Sequence, residues 1–191
     1  MSSRALAAVA VAGQLAFVAA WVVGGLAQEG YSTAAQTVSE LFSRTADHPW
    51  ILWIGLAALA PSYLATATLL HRMLGPRGRP AAALFVLASA LVLTVLFSPL
   101  DCMTNGDPTC GARVDAGEVS AAHSRHNTAA VTLQLCLVAT AFLVAFALRG
   151  RRAATGWWGS GWSGSPRWPG SPYPGRARAT TGSLSAPRSA S

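Results

Sequence analysis

Lysine is missing from this 191-residue chain: all fourteen basic residues are arginine, set against only seven acids. Charged residues make up 11% of the sequence, where a soluble domain carries about 25%. That scarcity excludes an ordinary soluble domain and points to a membrane composition. Other absences narrow the function. No G-x-S-x-G elbow occurs, no glycine-rich phosphate loop stands between a strand and a helix, and no dinucleotide or kinase signature is present. Nucleic-acid binding is excluded as well, because the arginines cluster at the ends of apolar runs and form no reading surface. The all-arginine basic set, with abundant Ala and Gly, is a codon signature of a GC-rich, bacterial genome.

What is present is apolar. Four hydrophobic runs, 5–26, 50–70, 80–100 and 128–148, each exceed 20 residues. At about 1.5 Å per residue each spans a hydrocarbon core of roughly 30 Å. The expected fold is therefore all-α, a polytopic bundle of four transmembrane spans. The first run competes with a signal peptide ending near Ala27, but its apolar core outlasts the usual h-region, which favours a retained span. None of the runs contains an acid or an arginine, which argues against an ion-coupled carrier.

The charges fix the expected topology. Glu29, Glu40 and Asp47 lie between the first two runs, and Asp101, Asp107, Asp115 and Glu118 lie between the last two. The other face holds Arg4, Arg72, Arg77, Arg79, Arg149, Arg151 and Arg152 and no acid. By the positive-inside pattern that face and both termini are cytoplasmic, in a cell (inner) membrane.

Both outer loops carry structure. Thr33 and Gln36 have capping-box spacing, and Val38, Leu41 and Phe42 form one apolar stripe, which predicts a short amphipathic helix near 32–44 with Glu40 on its solvated side. Trp50 and Trp53 then open the second span at the interface. In the second outer loop, Cys102 and Cys110 stand eight residues apart in an oxidising compartment. A disulfide is favoured there over a metal pair, whose spacing does not match short zinc motifs. Cys136, inside the fourth run, reads as a small buried hydrophobe. Val114 to His126 reads as a helix leading into the fourth span.

The segments Glu29-Gly-Tyr-Ser, Val38-Ser-Glu-Leu, Ser98-Pro-Leu-Asp-Cys and His123-Ser-Arg-His126, in this order on a four-span frame, resemble the bacterial membrane proteins grouped as domain-of-unknown-function family 998. The resemblance covers about residues 5–148. It implies a helical bundle, usually of six helices, and no assigned activity.

The expected polar cluster at the outer face comprises Tyr31, Ser39, Glu40, Asp101, His123 and His126. His123 and His126, three apart, share a helix face as two imidazoles on one zinc require, and Asp101 can supply an oxygen ligand or orient a ring. This gives a metal-dependent hydrolase acting on lipid, loosely similar to alkaline ceramidases in combining Ser, Asp and His near span ends. His48 is the spare candidate for a third histidine. The alternatives are span-end hydrogen bonding, or a module binding membrane lipid or protein.

From residue 151 the sequence turns into a low-complexity Trp, Pro, Gly, Ser and Arg mixture without acids. It reads as a disordered tail beyond a bundle domain of residues 1–150. Its composition also fits an out-of-frame product standing in place of lost spans.

Overall fold

The computed structural model describes residues 1–104 and 107–154, which lie in one compact unit. Among the described residues there are five α-helices: α1 (Ser3–Ala27), α2 (Pro49–Leu74), α3 (Arg79–Leu96), α4 (Pro108–Asp115) and α5 (Ala121–Ala154). Among the described residues there is no strand, only an isolated bridge between Ser43 and Leu100. The expected tail lies, from residue 155 on, outside the described residues.

Local chemistry sets the helix ends. Ser2 caps α1 through its hydroxyl, which accepts from the Ala5 N–H at 3.2 Å. Pro49 starts α2 from a non-helical His48. Pro61 sits inside α2 without ending it. Gly75, at φ 58°, opens a tight 3₁₀ turn over Gly75–Gly78 and the chain reverses into α3. The antiparallel sense is read from pairs that sum alike: Ser89 Oγ donates to the Ala60 carbonyl at 2.9 Å, and the Phe85 and Tyr63 rings lie 5.5 Å apart.

Among the described residues three continuous helical stretches are long and apolar enough to cross a membrane: Ser3–Ala27, Pro49–Leu96 and Ala121–Arg149. Burial is inverted relative to a soluble protein. Leu15, Val22, Leu135, Phe142 and Phe146 face outward, while Ser62, Ser89 and Thr140 are buried. Apolar surface on the outside with satisfied polar groups inside is the arrangement hydrocarbon demands.

Helices pack in chain order, α1 on α2, α2 on α3 and α3 on α5. Small residues permit the first contact: a Cβ added to Gly13 would lie 2.5 Å from the Ala58 carbonyl oxygen, and one on Gly55 would lie 2.6 Å from Ala20 Cβ. No comparable packing joins α1 to α5. A cleft remains between them.

Three sequence expectations need correction. The helix expected over 32–44 is only a 3₁₀ turn, Val38–Phe42. Gln36 accounts for this: its side-chain oxygen accepts the Ser32 N–H at 2.7 Å and its own N–H donates to the Ser32 carbonyl, closing one isolated turn before an extended Thr37. The third helix stops at Leu96, not at 100, because Ser98 precedes Pro99 and pre-proline residues avoid helical backbone. The helix expected over 114–126 is broken. α4 ends at Asp115, Gly117 adopts φ 73°, and α5 starts afresh at Ala121.

Candidate functional site

Two bonds from one serine define the first half of the cluster. Asp101, just past the end of α3, accepts the Ser120 N–H on Oδ2 and the Ser120 hydroxyl on Oδ1, both at 2.6 Å. These bonds hold its carboxyl below the usual aspartate value, with smaller help from the charge of Arg44. Ser120 in turn caps α5, its hydroxyl accepting the His123 N–H at 3.2 Å. Asp101 thus locks the start of α5 to the end of α3.

The two histidines are buried and hold opposite tautomers. His123 Nδ1 accepts the Asp101 backbone N–H at 3.3 Å and lies 3.9 Å from Asp101 Oδ2. His126 Nδ1 lies 2.7 Å from the Ser98 carbonyl oxygen, an acceptor only, so this nitrogen carries the proton. The early stop of α3 is what leaves that carbonyl free of a helical partner. His126 is 1% exposed, and its Nε2 has no hydrogen-bond partner among the described residues. Its ring stacks on Phe42, with centroids 6.4 Å apart.

The remaining candidates separate. Glu40, expected on a solvated face, is instead 3% exposed. It accepts the Gln36 amide on Oε2 at 3.0 Å and the Thr104 hydroxyl on Oε1 at 2.8 Å. It stitches the α1–α2 loop to the segment after α3, beside the Arg44 N–H on the Leu100 carbonyl and the Met103 N–H on Thr45 Oγ1. Cys102 and Cys110 are disulfide-bonded, with Cα atoms 6.1 Å apart. Tyr31 lies elsewhere, its hydroxyl accepting the Trp21 indole N–H at 3.2 Å. His48 is exposed at the start of α2.

Among the described residues no group of three or more His, Cys, Asp or Glu is placed to hold a metal. Both Asp101 oxygens are taken by Ser120, and both Nδ1 atoms meet backbone.

Ser39 and His126 do meet around a common space. The cleft between α1 and α5 has a volume of about 410 Å³ and is lined by Phe17, Leu56, Tyr63, Val95, Leu133 and Leu137, with Ser39 and Phe42 as part of its roof. Such a volume is usual for a ligand pocket, about 300–1,000 Å³. Its polar contributors are Thr37, Ser39, Tyr63, His126 and Gln134, and no charged side chain lines it. Val131, on its margin, is 62% exposed, so the cleft opens onto the apolar outer surface.

Ser98, Thr104, Ser120 and Gln134 were not foreseeable as a group. Only Ser120 carried a signal, a serine three residues before His123 where a helix cap belongs.

A family model described as "Protein of unknown function (DUF998)" matches residues 11–164, well over half of the chain. The chain belongs to this family. No curated protein and no solved structure matches it.

Proposed function

From membership of a family without an assigned activity, and from the geometry above, we propose that the chain is a bacterial cytoplasmic-membrane protein that binds an amphiphile in the α1–α5 cleft. The observation that carries this reading is the cleft itself. It is apolar along its length, opens toward lipid past Val131, and has a buried, half-satisfied His126 and the Ser39 hydroxyl at its roofed end. An acyl chain gains by filling such a space, and a polar headgroup atom gains by meeting the roof.

The proposal includes four crossings. A straight Pro49–Leu96 stretch would rise about 72 Å, far more than a bilayer core. The antiparallel α2–α3 pairing supports reading it as two spans. Arginine on one face supports cytoplasmic termini, and the close approach of α1 to α2 at Gly13 and Gly55 supports a retained first span.

The test is saturable uptake of a fluorescent acyl probe by detergent-purified protein, alongside extraction of co-purifying lipid. Ala130, which lines the cleft, is changed to Phe to fill it. Saturable uptake lost in A130F at an unchanged melting temperature supports the reading. No uptake and no co-purifying amphiphile in the unaltered protein sinks it.

A further inference from the structure

We infer that a second cavity, at the loop end of the α2–α3 pair, seats an anionic phospholipid. Its phosphate lies on Arg44 and its upper acyl carbons lie against Trp53 and Phe97. The inference is independent of the α1–α5 cleft and requires only that the bundle lie in a bilayer. Three observations carry it.

The first is the place. The cavity has a volume of about 420 Å³, and Phe42, Arg44, Trp50, Trp53, Leu96 and Phe97 are among its walls. Trp50 and Trp53 open α2 and Phe97 follows the end of α3, so the antiparallel pair brings them to one end. Tryptophan at a span end sits at the level of lipid headgroups. A phosphate at that level has apolar walls beside it for the chain it carries.

The second is uncovered aromatic surface. Trp50 is 60% exposed, Trp53 44% and Phe97 70%, although Phe42 and Leu96 beside them are packed away. Where water reaches the interface, an acyl chain laid on these rings removes apolar area from it.

The third is charge and hydrogen-bond sense. The polar side chains of the cavity are Ser43, Arg44, Trp50 and Trp53, and no acid lines it. Ser43 is buried and pairs with the Thr45 hydroxyl at 3.3 Å. The Arg44 guanidinium and both indole N–H groups have no acceptor among the described residues. The acids around Arg44 are committed elsewhere. Asp47 accepts the Gln28 amide at 2.8 Å, and Asp101 holds Ser120 with both oxygens. The Arg44 backbone is itself pinned, its N–H on the Leu100 carbonyl at 2.9 Å. A fixed cation among donors that lack acceptors selects an anion that only accepts, and a phosphodiester is one. A headgroup ammonium finds no carboxylate there, which favours a net anionic lipid.

The experiment is native mass spectrometry of the detergent-solubilised full chain. It is titrated with dioleoyl phosphatidylglycerol, with dioleoylglycerol, which has the same chains and no phosphate, and with glycerol 3-phosphate, which has no chains. The expected result is retention of phosphatidylglycerol about tenfold tighter than of the diacylglycerol, the difference of a charge-assisted hydrogen bond. Glycerol phosphate is not retained. R44Q lowers phosphatidylglycerol to the level of the diacylglycerol at an unchanged melting temperature, while R125Q and A130F leave it in place. Equal retention of the two lipids by the unaltered chain overturns the inference, whether or not R44Q folds. Equal losses in R44Q and R125Q overturn it too, since any arginine would then serve. Loss in A130F with R44Q unaffected moves the lipid to the α1–α5 cleft. Retention of glycerol phosphate alone replaces the lipid by a free phosphate and overturns the assignment.

Discussion

His126 and Ser98 are 28 residues apart and joined by a 2.7 Å contact between Nδ1 and a carbonyl oxygen. The pairing exists because proline at 99 ends α3 early and frees the Ser98 carbonyl just where the first turns of α5 pass it. It fixes the imidazole proton on Nδ1 and leaves Nε2 a buried acceptor with no partner among the described residues.

Replacing His126 by Phe keeps the stack on Phe42 but strands the Ser98 carbonyl, at an expected cost of about 1–3 kcal/mol. Replacement by Ala also opens a hole and costs more, about 2–5 kcal/mol. Thermal unfolding in detergent should rank the unaltered chain above H126F and H126F above H126A. A reversed order of the two variants would remove the packing role given to this ring.

Glu40 and Thr104 meet across 64 residues of sequence. Because the carboxylate is buried, E40A should destabilise by about 2–3 kcal/mol. A double-mutant cycle with T104A should give a coupling of at least about 0.5 kcal/mol. Additive effects would mean that the two loops are not fastened through this bond.

Asp101 sets a pH dependence whose sign follows from its partners. Bonds from Ser120 lower its folded value relative to the unfolded chain, so its contribution to stability is full above the ordinary aspartate value of about 3.9 and is lost as pH falls below it. Unfolding midpoints measured from neutral pH down to about pH 3 should fall more steeply for the unaltered protein than for D101N. Parallel curves would show that the Asp101 bonds contribute nothing to folding.

Zinc is expected to find no stoichiometric site on the described cluster. Asp101 has both oxygens on Ser120, and each histidine has one nitrogen on backbone. Metal analysis of the purified protein beside H123A/H126A checks this. About one zinc per chain, lost in the double variant, would restore the lipid-hydrolase reading.

The sequence by itself determined whatever local chemistry enforces. In hydrocarbon every backbone group must be bonded within its own helix, so uncharged runs of 20 residues announce themselves by length alone. Proline and glycine mark the α2–α3 reversal, and two cysteines eight residues apart in one short connection mark the Cys102–Cys110 bond. Tertiary structure decided everything that depends on which faces meet. The runs are apolar all round, so no periodicity tells how each helix is rotated or that α1 and α5 leave a cleft. Val38, Leu41 and Phe42 gave a local helical stripe, yet Glu40 on the same segment is buried by a threonine 64 residues away, and one 3₁₀ turn is what satisfies both. Asp101 finds its partner in the Ser120 cap, 19 residues on, a pairing no local pattern announces. Hydrogen bonds between distant segments are worth most where water is excluded, and only the packed bundle determines which donors and acceptors share such a place.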